Sequence, residues 1–484
     1  AAPHSRLSEL TGITYAHYEV LRERTTQRSP VYASRAAERL LAIQPGKLDH
    51  DADLPGNWGE ITTYGYPTLL YSHFQTAAIT ALQPAAQTLL QSARGDAVVA
   101  TRRHGLGSVL LANLPLDYLK TRTDSYLLHR ILSYFATGMA RQPVLSGTPD
   151  GVGGMVLNLH VDSNAAQAHL KTLEEAGWFD DGPYTIHVTA GPDTYTAGDH
   201  MGINLAHNEW MRDFLKRQHD KGHDVGNHGG WIHNVFGYQA NAHNQQRFEP
   251  YLDKNHQAIS LAIGARALSY SAPMGNQPDW VTDWLGRHDF KAYYSTSDTG
   301  LGPTRSYIQG EASRTPHLWT FPISNFKRIA TMDELSAHGL KESDIRVFIQ
   351  DLLEHVSEHG IARLFYFHPP VSKAYSQALE TLRSTAHRLQ AQGQFRWYSM
   401  VDLADFQNRR IAVQWDVARL ANHHQQLTAR SVDHLGSMTW WIPKFNEQPP
   451  RIVLGSARVV EHQGRWQVTA DKTQELVIEW SESP

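Results

Sequence analysis

The chain of 484 residues has no cysteine. That excludes disulfide staples, a thiolate nucleophile and cysteine-ligated zinc. It suits an oxidising compartment without requiring one. Long apolar runs are also missing: nothing approaches the ~20 apolar residues of a membrane helix. There is no strong charge of either sign. The formal net charge is −4, so no basic footprint for a nucleic acid exists and none is expected as a partner. What remains is an ordinary soluble composition, 41% hydrophobic and 19% charged, long enough for two to four domains at roughly 100–200 residues each. The chain opens Ala-Ala-Pro-His. A mature protein after signal cleavage, or an excised fragment, is therefore expected. Histidine is abundant, at 28 residues, as are Trp at 13 and Tyr at 20. Close His pairs such as His423 and His424 will occur by chance, and most Trp belong in a core.

Residues 1–145 read as an α/β unit. Ile61 to Tyr71 alternates like a strand. Gln75 to Ala93 has helical composition interrupted by Pro84. Two apolar runs, 97–103 and 108–113, flank a hairpin-like His104-Gly105-Leu106-Gly107. Asp124 to Phe135 carries apolar residues at helical spacing. The stretch 60–137 resembles the end of a glutamine-amidotransferase-like, flavodoxin-type domain. With no cysteine nucleophile, a structural or docking role is expected of it. Residues 142–154 are rich in Gly, Pro, Ser and Thr and read as a linker.

Strand and helix patterns then alternate to about residue 408. Strands are predicted at Met155–Val161, Tyr184–Thr189 and Arg363–Phe367. Helices are predicted at 167–176, 208–221, 248–265, 343–359 and 374–392. Such alternation means a parallel sheet, open or closed into a barrel. After Asn408, short β-like runs separated by turns predict a β-sandwich of about 75 residues over 409–484.

The chemistry concentrates in Gly226-Asn227-His228-Gly229-Gly230-Trp231-Ile232-His233. Two neutral imidazoles close together suit one metal ion. Asp162, at the end of the first buried strand, points where α/β sites lie; it also reads as a helix N-cap. Ser271-Ala-Pro-Met-Gly-Asn276 is a turn after a strand. His368, at the end of another buried strand and before two prolines, is placed like an acid or base.

In this order the segments resemble the polysaccharide deacetylases, carbohydrate esterases with a distorted (β/α) barrel, over about residues 154–408. The Pel-type exopolysaccharide deacetylases are the nearest in pattern. The resemblance implies a domain at 152–408 that removes N-acetyl groups from an N-acetylgalactosamine- or N-acetylglucosamine-containing exopolysaccharide, of the kind found in biofilms. It implies a divalent metal, zinc first, held by His228, His233 and Asp162 or Asn164. It further implies Asp162 as base, His368 as acid, and an oxyanion near Met274. A periplasmic or extracellular location and contact with polysaccharide export machinery go with it. Trp231, Met274, Asp298 and Arg305 are the substrate-side candidates.

Three departures stand against the family pattern. Four residues, not three, separate the two His. On a helix that spacing turns them about 140° apart, so Gly229-Gly230 must be irregular and the helix must start later. The acidic pair is reduced to Asp162-Ser163-Asn164. Ser271 stands where the family has Arg, so Asp298 and Arg305 become candidates to orient the base. These losses keep open a second reading, a catalytically impaired carbohydrate-binding or scaffold protein. In the terminal β-domain, Trp440, Trp441 and Trp466 are candidate glycan contacts, against the plainer reading that they are sandwich core or interdomain packing.

Overall fold

The computed structural model describes residues 7–13, 26–50, 56–62, 64, 72–74, 86–114, 116, 125–297, 302–308, 311–312, 315, 317–421 and 423–482. It divides into two compact units. One comprises 1–141, 297–300 and 325–330; the other comprises 142–296, 301–324 and 331–484. The expectations for 65–71, 75–85 and Asp298 lie outside the described residues.

In the first unit a six-stranded sheet runs in the order Leu48–Asp49, Gly59–Ile61, Val31–Ala33, Ala86–Ser92, Ala97–His104, Gly107–Ala112. The hairpin at His104–Gly107 is as predicted. The helix Tyr126–Ser133 lays Tyr126, Leu127 and Ile131 on a core with Val31, Leu90 and Val98. Two expectations change. Residues 86–92 are a strand, because pairing on both edges outweighs a helical composition. A flavodoxin-type unit has parallel strands, whereas every described pair here is antiparallel. Short links such as 105–106 can join only antiparallel neighbours, since a parallel pair needs a crossover of a dozen residues or more.

The second unit holds a nine-stranded sheet: β1 Gly153–Val161, β2 Thr185–Val188, β3 Asp224–Asn227, β4 Ser269–Tyr270, β5 Ala292–Ser295, β6 Thr304–Arg305, β7 Trp319–Pro322, β8 Ala362–Phe367 and β9 Phe395–Trp397. The order is β6-β7-β5-β4-β3-β2-β1-β8, with β9 also on β1. All pairs are parallel except β6 with β7. A parallel bridge between Ile323 and Leu364 joins β7 to β8 and curls the sheet toward closure. Every residue of β1 is buried, as a strand covered on both faces must be. The helix Glu342–His359 contributes Ile345, Phe348, Ile349, Leu352, Leu353 and Val356 to the core, worth roughly 2 kcal/mol apiece at most. Because the strands are parallel, the ends of β1, β3 and β8 lie at one rim, where α/β sites are built.

Beyond the barrel two four-stranded antiparallel sheets share one core of Leu427, Trp440, Ile442, Val468 and Ile478. Val144–Leu145, inside the expected linker, pairs with Thr439–Pro443, and the helix Met400–Ile411 crosses the expected boundary at 408. Trp440, Trp441 and Trp466 are all buried. Trp440 and Trp466 pack the sheets and Trp441 packs beside Gly151 and Gly360, so none is an open glycan platform.

Candidate active site

β3 ends at Asn227, and the next turn accepts only glycine. Gly229 has φ +58, and a Cβ there would lie 2.2 Å from Pro273 Cδ. A Cβ on Gly230 would lie 2.3 Å from the Phe236 ring. The helix begins at His233. His228 therefore projects from a turn and His233 from the first residue of a helix, so the extra residue between them is absorbed. Their Nε2 atoms are 3.2 Å apart.

Asp162 follows β1 directly. Its Oδ1 is 2.9 Å from His228 Nε2, and its Oδ2 is 3.6 Å from His233 Nε2. Among the described residues these three form the one group of His and acids able to hold a metal, with ligand atoms within 4.8 Å of each other. The hydrogen bonds behind them decide what they offer. His228 Nδ1 lies 3.0 Å from the Ser271 carbonyl, which can only accept, so the proton sits on Nδ1 and Nε2 keeps its lone pair. His233 Nδ1 faces Asn234 Oδ1 at 2.7 Å, with the same consequence. Two lone pairs and a carboxylate thus converge, and Asp162 Oδ1 is buried without a hydrogen bond. Such a set repels itself unless a cation lies among its members, so the donors fit a divalent ion. The Ser271 hydroxyl, 2.7 Å from His228 Nδ1, and the Ser271 carbonyl together orient this imidazole.

His368 closes the site from β8. Its Nε2 is 3.5 Å from Asp162 Oδ2, and its Nδ1 is 2.8 Å from Asp333 Oδ2. The Thr331 hydroxyl donates to the same Asp333 oxygen at 2.9 Å. Burial alone would lower the His368 pKa, but the carboxylates of Asp162 and Asp333 raise it to about 9. Burial opposes the charged form of Asp162, and the protonated imidazole of His368 beside it works the other way, holding its carboxyl well below the usual range. Desolvation keeps His233 neutral despite Asp162. The arrangement is therefore a lone-pair cage beside a protonated acid.

Beneath the cage the barrel interior is polar. His160, two residues before Asp162 and so on the same face of β1, is 2% exposed. Its ring centroid is 4.4 Å from that of His228, 4.7 Å from Tyr366 and 5.6 Å from His368. Lower still, His187 Nε2 meets Ser269 Oγ at 2.9 Å, and that hydroxyl donates to Asp224 at 2.8 Å. Desolvation raises the Asp224 pKa to about 7, against the bonds from Ser269 and Thr185.

The structure brings together Asp162, His228, His233 and His368. It does not bring Asn164. That side chain is exposed, its amide donates to the His200 carbonyl at 3.4 Å, and its backbone N–H bonds Met201. The chain leaves the strand after Asp162, so alternation no longer returns residue 164 to the rim, and the expected ligand role is corrected. Arg305 is exposed on β6, which pairs with β7; the carboxylate beside His368 is that of Asp333. Met274 is half exposed and rests against Gly237. Trp231 is half-buried, with its carbonyl where Gly191 lacks a side chain. Asp333 escaped sequence reasoning because it lies in a short turn, Met332–Glu334, with no periodicity to mark it. His160 carried a readable signal, its i−2 spacing from Asp162.

Residues 161–293 match the family model "Polysaccharide deacetylase". No curated protein matches the chain. Among solved structures, a Pseudomonas aeruginosa PAO1 protein titled as a polysaccharide deacetylase is similar at 11% identity and TM-score 0.41, covering 57% of this chain and 97% of that one. One from Mycobacterium smegmatis, of like title, has 18% identity and TM-score 0.38, covering 54% and 91%. A family 4 acetyl xylan esterase from Clostridium thermocellum, solved with cobalt, has 11% identity and TM-score 0.32, covering 53% and 92%.

Proposed function

We propose that the polysaccharide deacetylase domain of this chain, a hydrolase of the carbohydrate esterase kind, removes N-acetyl groups from a polymeric amino sugar with a divalent metal. The observation that carries this reading is the convergence of two bare imidazole nitrogens and one carboxylate beside a charged His368–Asp333 pair. When bound, the ion would polarise the amide carbonyl and acidify a water molecule. His228, His233 and Asp162 would hold it, and zinc suits two nitrogens and an oxygen with a place left open. Asp162 has a second oxygen facing His233 and His368, which takes the proton of the attacking water. His368, held protonated by Asp162 and Asp333, gives its proton to the departing amine.

An exopolysaccharide of N-acetylgalactosamine or N-acetylglucosamine, a periplasmic or extracellular location and work beside export machinery belong to the same proposal. Acetate release from such polymers should require zinc or cobalt and stop with a chelator. Release that ignores the chelator would remove the metal from the mechanism. A second reading, a carbohydrate-binding protein with an impaired centre, draws on Asn164, whose orientation leaves Asp162 to serve both metal and proton. Retention of the polymer with no acetate released, metal supplied, would favour it.

A further inference from the structure

We propose that His160 is a positioning residue: its buried ring is a shared floor that orients both the metal-ligand imidazole of His228 and the acid imidazole of His368. The proposal rests on the deacetylase reading for what the oriented groups do. Its geometry stands apart from that reading.

Three observations carry it. His160 is on β1, with Asn158 on one side and Asp162 on the other along the same face. Its Nε2 is held by the Asn158 amide at 3.1 Å, so the ring cannot swing freely. Around it stand rings from three other strands or strand ends. His228 is tilted over it at 4.4 Å and 38°, Tyr366 is stacked at 4.7 Å and 28°, Tyr294 is edge-on at 4.9 Å, and His368 is edge-on at 5.6 Å and 74°. A flat ring at this point limits the tilt of both functional imidazoles at once. Their own hydrogen bonds, to Ser271 and to Asp333, fix one nitrogen of each ring and leave its tilt to the rings that pack against it. Supporting groups of this kind typically change metal affinity or activity by about 10–100-fold when altered. An aliphatic side chain would fill the volume and supply no face.

The test compares His160→Phe with His160→Leu. Both remove the acceptor of the Asn158 amide, so that loss is common to the two. Phe keeps a flat ring; Leu keeps apolar bulk without one. Zinc affinity is measured by titration against a competing chelator, acetate release gives kcat and KM separately, and thermal unfolding checks that both variants are folded. The proposal expects His160→Leu to lose about 10-fold or more in zinc affinity and in kcat relative to His160→Phe, with KM unchanged. Equal zinc affinity and equal kcat in the two variants overturn it. If wild type releases no acetate from any polymer, the deacetylase reading falls, and the difference in zinc affinity still decides the role of His160.

Discussion

Two regions of the second unit place large side chains on alternating strands and use them in opposite ways. Along β1 and the residue that follows it, Asn158, His160 and Asp162 come at spacing two on the inner face. On Thr439–Pro443, Trp440 and Ile442 do the same. The terminal sheets fill their interior with apolar surface, and Trp440 is wholly buried there. The barrel fills its interior with ionisable groups, the buried His160, His187, His228 and His233, with a half-buried Asp224 beneath them. Burying them is expensive, and atoms such as His187 Nδ1 and Asn158 Oδ1 go without hydrogen bonds, at roughly 1–3 kcal/mol each. The same alternation thus serves stability in one place and stores electrostatic tension in the other. Residue type alone does not tell which; what shares the face does.

The comparison breaks first at the rim. His228→Ala should lose bound metal and at least about 10³-fold in acetate release, since it removes a donor from the convergent set. Metal analysis after dialysis and an acetate assay check it. Full activity with the metal gone would remove the metal from the mechanism and leave His228 a packing residue like those of the terminal sheets. The matching break in the terminal sheets is Trp440→Ala. It should cost about 3–5 kcal/mol in denaturant unfolding of the terminal core, with kcat little changed. A fall in kcat larger than the fall in folded fraction would make Trp440 part of substrate handling.

Much of this contrast was legible in the sequence. His228, His233, Asp162 and His368 were identified by motif and by strand ends, and the irregular glycine turn was required by the spacing before Gly229 showed φ +58. Three strands of the barrel, β1, β2 and β8, and its longer helices were legible, the helices because an apolar stripe such as Ile345 to Val356 marks them; short strands such as β5 and β7 and the helix Asp279–Arg287 were not. Asp333 was hidden because a three-residue turn has no period, and its partner His368 lies 35 residues on. Ser271 reads in the sequence as the loss of an Arg, whereas in the structure its carbonyl, which can only accept, faces His228 Nδ1. Residues 86–92 misled because strand neighbours, absent from any local window, decide between helix and strand there.

The barrel interior can be probed below the rim through Asp224. Its pKa is raised by burial from 3.8 to about 7, so the folded state keeps a proton that the unfolded state has given up. Stability from this group is fully present below about pH 4 and is lost as pH rises through 7. Between pH 5 and 8 the loss is roughly 3 kcal/mol. Asp224→Asn should flatten that part of the stability curve in denaturant melts. An unchanged slope would mean that the buried acid is already ionised at pH 5 and the interior less apolar than its burial indicates.

At the acid, Asp333→Asn keeps the shape and removes the charge. It should lower kcat by about 30-fold, and the imidazole of His368 should titrate well below 9 in the metal-free protein, followed by NMR. The sign follows from the carboxylate, which favours the protonated ring and is lost with the substitution. A titration still near 9 would assign the effect to Asp162 and Glu334.

The smallest effect belongs to Asn164→Ala. If strand alternation stops at Asp162, the Asn164 amide has only the His200 carbonyl at 3.4 Å to lose, an exposed contact worth little. Zinc affinity should then be unchanged and kcat within about 3-fold, because the neighbours that matter to the cage, Ser271 and Asn234, reach it from other elements. A tenfold loss of zinc affinity would show residue 164 turning inward when the ion binds. The rim would then be a cage that completes itself on loading, unlike the terminal sheets, whose core is already complete.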